Sequence, residues 1–269
     1  MLCKGGFMRN YGVFLLTGLL VLILTGQAAA GAIDDARGHG KLLSGVKTDF
    51  PPFGYLESNG SNAGFDVDIA RYLATAIFDG EPKVEFVAVT TGDRIPFLYA
   101  GWIDLIIATM TVTDERKQVL ETSDPYFISG SLLLVGKDSP INGVEDLGGK
   151  KVAVIEGAIQ AKDLDQLAPK AKQEKYEKIS GAVNALKSGK VDALCQDAVL
   201  VLSLAKQNAE LRPAGKAFIP RPYAIAVTKG DVASIAWINK QLSKMKSDGT
   251  YDRLWKKYFG EYEANLIKP

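Results

Sequence analysis

Charge is missing from the first stretch of the chain. Lys4 and Arg9 are the only charged residues before Asp34, and residues 11–24 read YGVFLLTGLLVLIL without a charge. Small residues follow, Gln27-Ala28-Ala29-Ala30-Gly31-Ala32. A basic start, a short apolar run and a small-residue exit form the pattern of an export signal, here residues 1–30, cleaved after Ala30 or Ala32. The apolar run is shorter than the ~20 residues that cross a bilayer, which disfavours the alternative of a retained anchor. Met8 is an alternative start that keeps the signal whole.

Beyond the signal, helix and strand patterns alternate, which predicts an α/β fold. A first strand ends at Gly45-Val46-Lys47 and is stopped by Pro51-Pro52. Asp66 is positioned to cap a helix whose apolar face is Ile69, Tyr72, Leu73 and Ile77, at spacings of three and four. Residues 84–89 read as a strand, and the run 102–109 (WIDLIIAT) as a buried parallel strand. Further strands are predicted at 151–155, 191–195 and 224–227, then a helical tail over 232–259 broken at Gly249.

One phrase recurs. Leu98-x-x-Gly101-x-Ile103-Asp104 returns as Leu186-x-x-Gly189-x-Val191-Asp192, and each copy reads as helix end, glycine cap and strand. Thr109 and Asp197 stand five residues beyond their respective aspartates. Such a phrase is common in α/β chains, yet two copies fit two similar lobes whose strand ends face one cleft. Segments 123–131 and 221–227 would cross between the lobes. The predicted organisation is lobe 1 over 31–127 and 223–269, and lobe 2 over 128–222.

Composition narrows the chemistry. The 269 residues are 47% apolar and 23% charged, an ordinary globular balance. The formal charge is +1, and it becomes −1 when residues 1–30 leave with Lys4 and Arg9, so no field exists to hold a nucleic acid. Two cysteines, Cys3 and Cys195, and one histidine, His39, cannot make a zinc site, and no cofactor is expected. Cys195, preceded by apolar Ala193 and Leu194, reads as a buried inert thiol. No G-x-S-x-G elbow, phosphate loop or dinucleotide fingerprint is present.

Several segments together resemble the periplasmic solute-binding proteins of amino-acid uptake transporters, bacterial solute-binding family 3. Gly64-Phe65-Asp66-Val67-Asp68-Ile69 looks like the family's signature helix, and Thr109-x-Thr111-x-Thr113-Asp114-Glu115-Arg116-Lys117 like its carboxylate-binding segment. Asp146-Leu147-Gly148-Gly149-Lys150-Lys151-Val152 resembles the entry to the second lobe, and Asp248-Gly249-Thr250-Tyr251 with Lys257-Tyr258-Phe259-Gly260 the C-terminal helices. The resemblance implies a two-lobed type II periplasmic-binding-protein fold. It implies a monomer that closes on one amino acid and docks on the membrane permease of an ABC transporter.

The resemblance also implies a site. Arg116, in the first turn of a helix capped by Thr113, suits the α-carboxylate through its planar fork. Asp197 suits the ammonium, although it also reads as a plain helix cap. Thr109 and Thr111 would add polar contacts, and Phe50 would cover the ligand. Lys47 stands where binders of basic amino acids often carry an acid, and Arg94 where acidic-amino-acid binders carry an arginine. Three cations against one acid suit glutamate or aspartate, with glutamine or another polar amino acid as the alternative. The text Glu156-Gly157-Ala158-Ile159-Gln160 departs from the family's Gly-Thr or Gly-Ser-Thr and lacks its hydroxyl. Cyclohexadienyl dehydratases share the fold but carry a glutamate soon after the aspartate, where this chain has Val199 and Leu200. The chain is accordingly expected to be a free exported receptor rather than an enzyme or part of a sensor or channel.

Overall fold

The computed structural model describes residues 31–262 together with Met1 and Leu2. The export signal expected over residues 1–30 lies, apart from Met1 and Leu2, outside the described residues, and Cys3 with it. No helix among the described residues is long and apolar enough to cross a membrane.

In chain order the elements are α1 (Ala32–His39), β1 (Leu42–Val46), β2 (Asp49–Phe50), β3 (Gly54–Leu56), β4 (Asn62–Ala63), α2 (Phe65–Ile77), β5 (Val84–Ala88), α3 (Arg94–Tyr99), β6 (Leu105–Ile106), α4 (Asp114–Val119) and β7 (Leu120–Thr122). They continue with β8 (Phe127–Gly136), β9 (Lys151–Ile155), α5 (Gln160–Leu167), β10 (Lys172–Tyr176), α6 (Ile179–Lys187), β11 (Ala193–Asp197), α7 (Ala198–Gln207), β12 (Leu211–Tyr223), β13 (Ala226–Thr228), α8 (Val232–Ser247) and α9 (Thr250–Phe259). Two five-stranded sheets result, ordered β5-β1-β6-β13-β7 and β10-β9-β11-β8-β12. Each is the core of one lobe. In each, the first three strands are parallel and the fourth enters antiparallel.

The repeated phrase has a structural basis. Gly101 and Gly189 both adopt left-handed φ, 69° and 72°, and each donates its N–H to the leucine three residues back at 3.1 Å. Asp104 then exchanges two bonds with Leu43: its N–H donates to the Leu43 carbonyl and its Oδ2 accepts from the Leu43 N–H, both at 2.8 Å. Asp192 does the same with Lys151, again at 2.8 Å for both bonds. Each aspartate therefore pins the entry of its own strand against the neighbouring one, and the residues that follow emerge at the cleft in matching register.

Helix α2 follows its sequence pattern, with Ile69, Leu73 and Ile77 buried. Burying each such side chain contributes about 1.5–3 kcal/mol. Its cap differs from expectation. Gly64, at φ 131°, precedes the helix, and Asp66 sits in its first turn, wholly buried, with its carboxylate turned elsewhere. A Cβ at Gly64 would lie 2.1 Å from the Phe53 carbonyl oxygen, so the chain can enter the helix here only as glycine. The predicted strand 102–109 is shorter than its apolar run: only Leu105–Ile106 pairs regularly, because the chain turns left-handed at Thr109 (φ 47°). The tail breaks at Gly249, which is left-handed at φ 76°.

The two crossings run side by side. β8 and β12 pair antiparallel, with Phe127 opposite Tyr223 and Ser129 opposite Arg221. Their lobe 1 ends are set in an aromatic cluster: Phe127 lies 4.9 Å from Phe53, 4.8 Å from Phe259 and 5.3 Å from Trp255, centroid to centroid. The C-terminal helix α9 thus anchors the crossings to lobe 1.

Candidate ligand-binding cleft

The residues named from the sequence converge because they follow strand ends. β1 leads to Lys47 and Phe50, β6 to Thr109 and Thr111, and β11 ends in Asp197. Parallel strands deliver such residues to one edge of each sheet, where ligands of α/β folds bind. A small cavity between the lobes is lined by Phe50, Arg94, Thr109, Thr111, Arg116 and Asp197, with Thr91, Ala158, Ile159, Gln160 and Gln196 completing the wall. Lys47 is the exception. It lines the adjoining cavity and reaches the shared wall from behind, donating to the Thr91 hydroxyl at 2.5 Å.

Arg116 bridges the lobes. Thr113 caps helix α4 by accepting from the Arg116 N–H at 3.2 Å. The Arg116 guanidinium donates from Nη1 to the Thr111 carbonyl (2.7 Å) and from Nη2 to the Gly157 carbonyl of lobe 2 (3.0 Å). Two further contacts cross beside it. Lys162 donates to Glu115 at 2.8 Å, and the Ile179 N–H donates to Asp49 at 3.3 Å.

Arg94 is buried and braces the Thr109 turn. Its Nε donates to the Thr91 carbonyl (3.0 Å), and Nη1 to the carbonyls of Ala108 (2.9 Å) and Thr109 (3.0 Å). Nη2 makes no hydrogen bond among the described residues. A β-branched residue in the left-handed region costs about 1–2 kcal/mol, so the turn at Thr109 needs such support.

Asp197 stands at the start of α7 without capping it through its side chain. The carboxylate instead faces the cavity, with Gln160 Nε2 at 3.4 Å. Burial raises its pKa to about 6, against the pull of the Tyr223 hydroxyl and of the Arg94, Lys47 and Arg116 charges. The cations are shifted the opposite way. Burial and then Arg94 bring Lys47 to about 7, and burial and then Arg116 bring Arg94 to about 9. Arg116 is also lowered, again chiefly by burial.

The helix that follows Gly157 opens on the cavity wall at Ile159 and Gln160, whose side chain is buried. The first N–H groups of a helix have no partner within it, and such an end suits an anion. Sequence reasoning did not select Thr91, Gln160 or Gln196 as wall residues. The signal for Gln196 was its place beside Asp197; Gln160 carried none, since its partner Asp197 is 37 residues away. Cys195 is buried, and burial first, with Asp163 and Asp197, pushes its thiol pKa well up. No group of three or more His, Cys, Asp or Glu among the described residues could hold a metal ion.

Known proteins match this arrangement along most of the chain. The bacterial extracellular solute-binding proteins, family 3, match residues 42–261. The ABC transporter glutamine-binding protein GlnH of Bacillus subtilis (strain 168) is 44% identical over 226 residues, 83% of each chain. The glutamine-binding protein of Geobacillus stearothermophilus is 41% identical over 205 residues, 76% of this chain and 78% of its own. A solved structure of an ancestral arginine-binding protein bound to glutamine superposes with a TM-score of 0.78 at 42% identity, over 82% of this chain and 98% of that one.

Proposed function

Since the chain belongs to the bacterial extracellular solute-binding proteins, family 3, we propose that it is the periplasmic, amino-acid-binding component of an ABC-type uptake system and that its guest is L-glutamate or L-aspartate. The lobes close on the guest by hinge motion at the paired crossings, and the closed form delivers it to the membrane permease.

One observation carries the acidic reading. Arg94 and Arg116 line the cavity with the single acid Asp197, and Lys47 approaches behind Thr91; burial lowers the pKa of all three cations, and repulsion by Arg94 adds to it at Lys47 and by Arg116 at Arg94. A guest bearing two carboxylates and one ammonium relieves that repulsion. Its α-carboxylate is assigned to Arg116 and the first N–H groups of α5, and its ammonium to Asp197 with Thr109 and Thr111. Its side-chain carboxylate goes to Arg94 Nη2, supported by Lys47 through Thr91. Phe50 closes the apolar side.

Glutamine is the second reading, favoured by the ligand in the names of the two relatives above. A dehydratase activity finds no support, since Val199 and Leu200 beyond Asp197 are buried and apolar.

Thermal unfolding with each amino acid in turn tests the proposal. A guest at a thousandfold excess over its Kd adds about 4 kcal/mol to the folded state. Glutamate or aspartate is expected to give the largest rise. A rise with glutamine and none with the two acids overturns the acidic reading.

A further inference from the structure

Asp66 is wholly buried in the first turn of α2 and is not part of the cavity wall. Its Oδ2 accepts the Thr109 N–H at 2.9 Å. Thr109 is the cavity residue that holds a left-handed φ of 47°, an uncommon state for a β-branched residue. The Thr109 carbonyl and the Ala108 carbonyl before it are the two acceptors of Arg94 Nη1. A chain of contacts therefore runs from Asp66 to the Thr109 backbone and on to the Arg94 guanidinium. An N–H in that position has no strand partner, since the regular pairing of β6 stops at Ile106.

We propose that Asp66 is a positioning residue that clamps the Thr109 turn and, through it, aims Arg94 into the cleft. The inference rests on the reading of the cavity as the amino-acid site. What the clamp requires of Asp66 is an acceptor oxygen rather than a charge. Burial raises its pKa to about 8 against the pull of the Thr109 N–H and the Tyr126 hydroxyl, so the carboxyl is largely neutral at pH 7. Asp66→Asn keeps an acceptor oxygen in the same place, and Asp66→Ala removes it.

Two readouts test the clamp. The first is hydrogen exchange of the Thr109 amide, which needs no guest. It is expected to stay protected in Asp66→Asn and to exchange at least tenfold faster in Asp66→Ala. The second is calorimetry with L-glutamate, L-aspartate and L-glutamine at pH 7. Asp66→Asn is expected to bind within about threefold of the parent, and Asp66→Ala to lose about thirtyfold or more. Thr109→Gly supplies the control, because glycine adopts a positive φ freely. In that background Asp66→Ala is expected to cost less than a third of its factor in the parent. If Asp66→Ala alone does not fold, the double variant is expected to fold. Equal losses with threonine and glycine at 109, an unfolded double variant, or Asn and Ala variants that behave alike would each overturn the clamp. A parent that binds none of the three amino acids would instead overturn the proposed guests, and the Thr109 exchange rate would still decide the role of Asp66.

Discussion

Gly157 of lobe 2 and Gly92 of lobe 1 meet backbone to backbone across the cleft: a Cβ on Gly157 would lie 3.1 Å from Gly92 Cα and 3.3 Å from its nitrogen. Gly157 is also left-handed at φ 74°, and its carbonyl accepts the cross-lobe bond from Arg116. The relationship is one-sided, since a Cβ on Gly92 would meet nothing nearer than the Thr90 hydroxyl at 3.9 Å. Gly157→Ala is therefore expected to hold the lobes apart and weaken the guest about tenfold or more, from a conformational cost of about 1–2 kcal/mol plus the contact. Gly92→Ala should bind like the parent. Calorimetry gives the affinities, and small-angle scattering reports whether the guest still compacts the protein.

The charges assigned to the two ends of the amino acid are tested by removing them singly. Arg116→Ala strands the guest's α-carboxylate and Asp197→Ala its ammonium. Each is expected to cost about 2–5 kcal/mol of binding free energy. Arg116→Lys should recover only part of the loss, because the ammonium cannot reproduce a planar fork that serves the guest, Thr111 and Gly157 together. A loss below tenfold in Arg116→Ala would remove that residue from the carboxylate site.

Lys47 predicts a pH dependence whose sign can be stated. Burial and Arg94 bring its pKa to about 7, so the unliganded protein carries the ammonium below pH 7 and the amine above it. A carboxylate guest favours the ammonium. Affinity for glutamate or aspartate is expected to fall as pH rises above 7, by at most tenfold per unit, with proton uptake on binding. Lys47→Met should flatten the profile. Calorimetry in buffers of differing ionisation enthalpy counts the protons; no uptake near pH 8 would contradict this role.

Asp104 and Asp192 perform the same strand-pinning task in unequal surroundings. Asp104 is buried, whereas Asp192 is exposed. Replacing Asp104 by alanine leaves the half-buried Leu43 N–H without its acceptor, at a cost of about 1–3 kcal/mol. Asp192→Ala leaves the Lys151 N–H open to water and should cost about 0.5–1.5 kcal/mol. Urea unfolding of the two variants measures the difference, which would vanish if burial played no part.

Local chemistry along the chain was enough to define the α/β class, the repeated Gly–x–hydrophobic–Asp phrase and the break at Gly249. These depend on spacing and on backbone preferences that neighbouring residues impose. The same spacing placed Thr109 and Asp197 at strand ends, and the structure brings both to one cavity. Contacts made at long sequence separation could not be read this way. Asp66 looked like a helix cap because residues near it in sequence allow that role, but Thr109, 43 residues away, takes its carboxylate. Lys47 was grouped with the other cations, yet its ammonium stops at Thr91, 44 residues away, on the far side of the wall. The approach of Gly157 to Gly92 exists only once two lobes face each other. Sequence determines what each strand end can offer, through local sterics and periodicity; tertiary structure decides which ends meet, because only packing at a distance brings the partner atoms within reach.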